Sequence, residues 1–315
     1  SRDAGQLLDG VRLQSSGPPT PLLNPPLPPT ILLPNTSHAV LSARIAAATH
    51  AGPIVIPNAL GSLHFDRSTL RHLCATPEGS SLTMAVSPRA KVGRSWAGLQ
   101  FVGASTFGVD SVASLLDAHE RGDLEGAVLF DSPCASACPG ALRMSNASAA
   151  TGPLPAPRYF PVDYSAALEG PRGVGVRTKT DPDLFVSRAG TSTHVHVDSG
   201  CTRFYMLQLY GRKLWRVFAP EEDSNLHRAA NGHFEADVLR PDAARWPGLA
   251  RVRRAHEFVL HPGELVLIPE QWSHAVHNLD DTSALTLNFV DDANLACYLD
   301  SVAPAAARRL GDFVR

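Results

Sequence analysis

Eight short apolar segments between Leu184 and Phe289 constrain the fold more than any other feature of this sequence. They are rich in Val, Leu, Ile and Phe, and turn signals such as Pro262-Gly263 and Asp280-Asp281 separate the later ones. Many short strands with turn punctuation are typical of a β-sandwich or a jelly roll. We predict strands at 184–188, 193–198, 203–209, 213–218, 256–260, 264–268, 273–278 and 283–289.

The regions on either side of these strands differ in composition. Prolines crowd the N-terminal stretch, which includes Asn24-Pro-Pro-Leu-Pro-Pro and cannot form a helix interior or a central strand. The stretch at 131–180 is rich in loops and in proline. The predicted organisation is a Pro-rich extended arm at 1–40, α/β elements and a loop at 41–180, a β core at 181–292 with an insert at 219–255, and a C-terminal helix at 293–315.

Several elements before the core can also be placed. An amphipathic helix is predicted from Asp110 to Arg121, closed by Gly122, and a shorter one from its cap Ser68 to His72. The fold class is therefore mainly β with flanking helices. The remaining predictions are a helix at 41–49 and strands at 52–57, 82–86 and 127–130.

The composition is that of a globular protein. Of the 315 residues, 44% are hydrophobic and 18% are charged, and the net charge of −2 gives no overall attraction to nucleic acid or to anionic membranes. No run approaches the roughly 18 apolar residues of a membrane span. Five cysteines do not indicate a disulfide framework at this length, and Cys134 and Cys138 lack a second pair at zinc spacing. This cysteine usage favours a reducing compartment, the cytoplasm or the nucleus.

A histidine and a carboxylate share one face of the second predicted core strand. They are His196 and Asp198, and residues i and i+2 of a strand project from the same face. A metal ion needs a third ligand, which His274 offers in the downstream stretch Ile268-Pro-Glu-Gln-Trp-Ser-His. Two histidines and one carboxylate leave the opposite coordination positions open, as in non-haem Fe(II) sites.

The motifs around these residues resemble those of a known family. The pattern Gly263-x5-Pro269-x-Gln271-x2-His274-x3-Asn278 resembles the second signature of the cupin superfamily, with Gln in place of its usual Gly. Thr193-x2-His196-x-Asp198, followed by Gln208-x2-Gly211-x-Lys213-x-Trp215, narrows the resemblance to JmjC hydroxylases. The sequence is similar to the factor-inhibiting-HIF-type asparaginyl hydroxylases and their small relatives, over residues 184–292.

This resemblance implies a double-stranded β-helix that uses Fe(II), 2-oxoglutarate and O₂. A dicarboxylate buried in a barrel needs a cation to offset its desolvation, and Lys213 stands in an otherwise apolar strand. By position, the resemblance assigns the iron to His196, Asp198 and His274, the distal carboxylate of 2-oxoglutarate to Thr193 and Lys213, and the lining of the same pocket to Asn288.

Two features depart from the family pattern. The segment from Asp198 to Gln208 is longer than in the relatives, so the position at which they often have an Asn falls on Phe204. The tyrosine that relatives contribute from upstream has only Tyr159 and Tyr164 as candidates. The cofactor contacts at these positions therefore stay open.

Other interpretations compete for several residues. His194 shares the predicted strand face with His196, so a three-histidine cupin site with His274 is an alternative. We interpret His261 and His277 as surface residues and Trp272 as a core residue. A basic cluster in the insert is more often a solvated face than a contact for RNA or an acidic peptide; its members are Arg240, Arg245, Arg251, Arg253 and Arg254.

The resemblance implies an oxygenase that hydroxylates a protein side chain and releases succinate and CO₂. N-methyl-lysine demethylation and tRNA-base hydroxylation are alternatives within the family, although no Cys/His zinc-binding array accompanies the core. A metal-dependent cupin without 2-oxoglutarate chemistry and a catalytically silent binding protein are alternatives of other classes. The expected partner is a protein or peptide, with nucleic acid not favoured. A homodimer would form through the C-terminal helix, whose stripe comprises Leu295, Tyr298, Leu299 and Val302.

Overall fold

The computed structural model describes most of the predicted core and parts of the preceding chain. The described residues are 18–33, 43, 51–61, 63–74, 82–84, 107–109, 111–122, 129–138, 140, 164, 182–230 and 232–301. The predictions for 41–49, apart from the helical Ala43, and for 302–315 lie outside them, as do most of those for 131–180.

The described chain contains short strands and few helices. The strands are β1 (Thr30–Ile31), β2 (Ile54–Ile56), β3 (Leu82–Met84), β4 (Phe107–Val109), β5 (Leu129–Pro133), β6 (Asp183–Ser187), β7 (Ser192–His196), β8 (Arg203–Tyr210), β9 (Lys213–Phe218), β10 (Ala255–Leu260), β11 (Leu265–Ile268), β12 (Ser273–Asn278) and β13 (Thr282–Phe289). The helices are α1 (Arg67–Leu73), α2 (Val112–Glu120) and α3 (Cys134–Ala137), and residues 295–301 are also helical. Each of the eight predicted core strands is present, with its ends within two residues of the predicted ones.

Two sheets enclose the core of the molecule. Within the described residues, one sheet has the strand order β1-β2-β11-β8-β13-β6-β5 and the other β10-β9-β12-β7, while β3 and β4 form a separate pair. Trp215 and Val217 from the smaller sheet pack against Met206 and Val266 from the larger one. Facing antiparallel sheets that enclose one apolar interior are the arrangement of a jelly roll. The predicted double-stranded β-helix is confirmed.

The helices cover the outer face of the larger sheet. Leu70 of α1 and Leu115 of α2 belong to one buried cluster with Leu207 and Leu285 of the sheet. The cap of α1 is Asp66, whose side chain accepts a hydrogen bond from the backbone of Thr69, so the prediction of Ser68 as the cap was wrong by two positions. Among the helices within the described residues, none has the length and apolarity that crossing a membrane requires.

The insert and the N-terminal arm cover the outer face of the smaller sheet. Phe218 and Ala275 of the sheet pack against Phe234 and Val238 of the insert, and Leu22 of the arm joins the same cluster. Within residues 18–33, β1 pairs parallel to β2, and Leu27 forms an isolated parallel bridge with His256. The smaller sheet is therefore buried on both faces.

Two disulfides correct the expectation drawn from the cysteines. Cys74 at the end of α1 is bonded to Cys138, and Cys201 is bonded to Cys297 in the helical segment 295–301. The partners are 64 and 96 residues apart, so their spacing along the chain carries no signal of pairing. Since disulfides persist mainly in oxidising compartments, these pairs remove the cysteine-based reason for expecting the cytoplasm or the nucleus.

Candidate metal centre

Neighbouring strands of the smaller sheet bring the three predicted metal ligands together. His196 of β7 lies directly opposite His274 of β12, and Asp198 follows two residues after His196. Each offers one ligand atom, and these atoms all lie within 4.8 Å of one another. The Nε2 atom of His196 is 3.6 Å from Oδ1 of Asp198. Bonds of about 2 Å from a central ion to three such atoms fit these separations.

A β-bulge in β7 separates His194 from this group. His196 pairs with His274 and Thr193 pairs with Val276, so three steps along β7 correspond to two along β12. The extra residue reverses the alternation of faces. His194 turns away from the three ligands, and its Nε2 lies 2.7 Å from the carbonyl oxygen of Phe234 in the insert. The expectation that His194 shares the face of His196 was wrong, and the structure does not assemble the three-histidine alternative.

Backbone carbonyls orient both candidate imidazoles. The Nδ1 atom of His196 lies 2.8 Å from the carbonyl oxygen of His194, and that of His274 lies 3.2 Å from the carbonyl oxygen of Trp272. A ring that donates from Nδ1 keeps a lone pair on Nε2 for a metal. Burial, together with the neighbouring ring of His196, lowers the pKa of His274 to about 4. His274 is therefore neutral at physiological pH, as a ligand must be.

The carboxylate of Asp198 is held by an amide from the last core strand. Asn288 donates from Nδ2 to Oδ2 of Asp198 at 3.1 Å and to Oγ1 of Thr202 at 2.9 Å. One carboxylate oxygen is thus fixed by protein, and Oδ1 faces His196. The structure places Asn288 beside the acidic ligand, and its assignment to the 2-oxoglutarate pocket stays a prediction.

Lys213 lies inside the barrel with a neutral partner. Its side chain is buried, and Nζ donates to Oδ1 of Asn278 at 2.6 Å. Asn278 in turn donates from Nδ2 to Oγ1 of Thr191 at 2.7 Å. No carboxylate within the described residues forms an ion pair with Lys213, and burial lowers its pKa to about 7. Sequence reasoning gave no role to Asn278, although it stands directly opposite Lys213 in the register of β9 and β12.

The wall between Lys213 and His274 carries a buried donor. The ring of Trp215 lies 5.6 Å from that of His274, and its Nε1 is buried without a hydrogen-bond partner in the part of the chain that the structure describes. Buried polar atoms are normally satisfied, so an unpaired donor here suits a site that receives a polar ligand. Thr193 shares this interior face because it pairs with Val276.

The aromatic positions singled out in the sequence lie in different surroundings. Phe204, at the position where relatives often have an Asn, stacks on His274 with 5.9 Å between the ring centroids. The hydroxyl of Tyr164 donates to Asp292 at 2.6 Å, a contact at the end of β13, while Tyr159 lies outside the described residues. Trp272 is buried in the core, as predicted. Phe204 therefore packs on a candidate ligand and offers no polar contact.

Two other histidines were interpreted as surface residues, with different outcomes. His261 is exposed, as predicted. His277 is only 6% exposed, and its Nδ1 lies 2.7 Å from Oγ of Ser192, so that prediction was wrong. The cause is the insert, which covers the outer face of the smaller sheet, where the side chains of His277 and Ser192 lie.

The basic cluster of the insert is engaged within the molecule. Arg254 pairs with Glu221, and the guanidinium of Arg245 lies 5.1 Å from the ring centroid of Trp246. Arg245, Arg251 and Arg253 are exposed, which supports the interpretation as a solvated face for them, whereas the side chain of Arg240 is only 11% exposed. The other three arginines contact Asp237 (from Arg240), Asn225 (from Arg251) and the carbonyl of Ala250 (from Arg253).

The chain belongs to the family described as "Cupin-like domain", whose family model matches residues 110–294. It is similar to "2-oxoglutarate and iron-dependent oxygenase JMJD4" of Gallus gallus, with 28% identity over 136 residues, which are 41% of this chain and 32% of the relative. The same-named protein of Homo sapiens is 32% identical over 116 residues (36% and 28%). "HSPB1-associated protein 1" of Rattus norvegicus is 30% identical over 122 residues (36% and 25%). The match spans about a quarter to a third of the length of these relatives.

Proposed function

We propose that this chain is an Fe(II)- and 2-oxoglutarate-dependent oxygenase. The observation that carries the proposal is the convergence of His196, Asp198 and His274 within 4.8 Å inside a cupin barrel. The names of two of the relatives, which specify 2-oxoglutarate and iron dependence, support it. The neutral surroundings of Lys213 support the co-substrate, because a buried ammonium without an anionic partner favours an anionic ligand.

The donor set fits iron. Two imidazoles and one carboxylate would hold Fe(II) on one side and leave the opposite positions open for a chelating co-substrate and O₂. Bound Fe(II), 2-oxoglutarate and O₂ together supply the oxidation of a substrate C–H bond, with release of succinate and CO₂. The protein contributes the orientation of the ligands, through the carbonyls at Nδ1 of His196 and His274 and the amide of Asn288 at Asp198.

The barrel interior would bind 2-oxoglutarate between the metal ligands and Lys213. The ammonium of Lys213 would pair with the distal carboxylate, and Thr193, on the same interior face, would add a hydroxyl donor. Apolar neighbours such as Trp215 and Val276 exclude water from this pair, which strengthens the interaction between the two charges.

We propose a protein side chain as the substrate. The side chain of His196 is 33% exposed and that of Asp198 is 19% exposed, while His274 is buried, so the metal centre opens to solvent on one side. An open mouth admits a residue of a macromolecule. Demethylation of a methyl-lysine and oxidation of a tRNA base are the alternatives, and the engaged arginines of the insert give no support to the second of them.

We also propose that two copies associate through the C-terminal helical segment. Leu299 is 44% exposed there, whereas its neighbour Tyr298 is buried against Val290. The proposal takes the exposed side chain of Leu299 as part of the contact with the second copy. Sedimentation of the protein over a range of concentrations measures its mass, and a mass that stays that of one chain contradicts this proposal.

Thermal melting with Mn(II) in place of iron tests the proposed function. A ligand that binds only the native state raises the melting temperature. At a ligand concentration of 100 times its Kd, the free energy of unfolding increases by about 2.7 kcal/mol. We expect a rise with Mn(II) and a further rise when 2-oxoglutarate is added. If Mn(II) stabilises the protein and 2-oxoglutarate adds nothing, the metal-dependent cupin without 2-oxoglutarate chemistry is the better description.

Mass spectrometry of candidate substrates distinguishes the reaction types. With Fe(II), 2-oxoglutarate and O₂, we expect a peptide that gains one oxygen atom while succinate accumulates. Loss of a methyl group from a methyl-lysine peptide would indicate a demethylase, and oxidation of a tRNA base would indicate the nucleic-acid alternative. Either result contradicts the choice of a protein side-chain hydroxylase.

A further inference from the structure

We propose that Asn278 is a positioning residue that keeps the charge of Lys213 available for the distal carboxylate of the co-substrate. The inference rests on the proposed function and deepens it, because it names the residue that prepares the co-substrate pocket. Asn278 and Lys213 are opposite one another in the β9–β12 register, and both are buried.

A directed chain of hydrogen bonds fixes the orientation of Asn278. Thr191 donates its hydroxyl hydrogen to the carbonyl oxygen of Arg188 at 2.7 Å. Its Oγ1 therefore has only lone pairs left, and it accepts from Nδ2 of Asn278 at 2.7 Å. The amide nitrogen is thereby committed to Thr191, and the amide oxygen faces Nζ of Lys213 at 2.6 Å. The amide cannot flip without breaking two of these bonds.

The neutrality of the amide matters as much as its orientation. An ammonium has three N–H donors, and Asn278 accepts one of them without cancelling the positive charge. A carboxylate at this position would form a buried ion pair with Lys213 and would compete with any anionic ligand. Burial lowers the pKa of Lys213 to about 7, so its amine and ammonium forms are balanced near neutral pH, and a bound anion would favour the ammonium.

The surrounding wall leaves an anionic ligand as the partner that the ammonium lacks. Lys213 shares the interior face of β9 with Trp215, and Asn278 shares that of β12 with Val276, and both of these neighbours are core residues. Within the described residues, the only other polar contact of Oδ1 of Asn278 is a long one of 3.4 Å from Oγ1 of Thr282. A carboxylate entering from the metal side would thus meet an oriented, uncompensated charge.

The test is the substitution Asn278→Asp, which changes the charge and almost nothing of the shape. In the Mn(II)-loaded protein we expect the Kd of 2-oxoglutarate to rise at least tenfold by calorimetric titration. In turnover we expect the KM for 2-oxoglutarate to rise while kcat at saturating 2-oxoglutarate changes much less. The control Asn58→Asp adds the same charge on an exposed turn and should leave both constants unchanged.

The response to Mn(II) alone separates the outcomes. If the wild-type protein shows no stabilisation by 2-oxoglutarate, the proposed function fails. If the wild type binds it and Asn278→Asp binds it equally well, the positioning role is overturned. If Asn278→Asp loses its Mn(II) response or does not fold, Thr191→Val is tested instead. This substitution removes the hydroxyl that anchors the amide of Asn278 and keeps the side-chain shape of threonine. A several-fold weaker Kd then supports the proposal, and an unchanged Kd overturns it.

Discussion

At the scale of single residues, the bulge in β7 selects Asp198 over His194 as the third ligand. Mn(II) should raise the melting temperature of the wild type and of His194→Gln, because His194 faces the insert. Asp198→Ala should lose that rise and its succinate formation, because two imidazoles bind a metal ion much more weakly than three ligands. Scanning fluorimetry with and without Mn(II) measures the effect. A His194→Gln protein that loses the response while Asp198→Ala keeps it would restore the three-histidine alternative.

The individual site residues were predictable to different degrees. His196 and Asp198 follow from the period of a strand, and Lys213 stands out as a charge in an apolar strand. The bulge that turns His194 away interrupts the two-residue period of the strand, and no residue type in β7 predicts it. The contact between Asn278 and Lys213 depends on the register between strands 65 residues apart, which the strand pattern leaves open.

At the scale of secondary structure elements, Arg216 joins the smaller sheet to the insert and to the N-terminal arm that cover its outer face. Its buried guanidinium donates to Glu257 at 2.6 Å, to the carbonyls of Val238 and Leu239 at 2.6 and 3.0 Å, and to that of Thr20 at 2.5 Å. One side chain thus connects two strands, the insert and the arm.

Replacing Arg216 with Met should detach these layers from one another. Met keeps the apolar contacts but leaves a carboxylate and several carbonyls without donors, so we expect a loss of about 3 kcal/mol or more. Denaturant unfolding measures the loss. Arg254→Met is the matched control, because its pair with Glu221 is exposed and worth about 1 kcal/mol or less. Equal effects of the two substitutions would mean that Arg216 does not hold the layers.

The elements themselves were easier to predict than their contacts. Alternation and turn residues placed the core strands, since both signals are local. The partners of Arg216 lie between 22 and 196 residues away, and the Cys201–Cys297 pair spans 96. Such contacts arise from the packing of the jelly roll, and a single sequence carries no local sign of them.

At the scale of the whole molecule, burial keeps several histidines neutral. Desolvation is the first cause of the lowered pKa of each, and for two of them, His274 and His277, the pKa falls to about 4. Burial raises the pKa of Asp223, which has the opposite effect on how stability changes with pH, but Asp223 is one group against four histidines. The four rings are those of His194, His256, His274 and His277.

The metal-free protein should therefore lose stability as the pH falls from 7 to 5. In the unfolded chain a histidine has a pKa of about 6.5, and below that pH it binds a proton that the buried ring in the native state does not bind. The free energy of unfolding therefore decreases as the pH falls. A native pKa of about 4 corresponds to roughly 2 kcal/mol per ring at pH 5 for His274 and His277. Urea unfolding in a chelating buffer at the two pH values measures the difference, and His277→Gln should make it smaller. An unfolding free energy that is the same at both values would show that these rings are protonated in the native state.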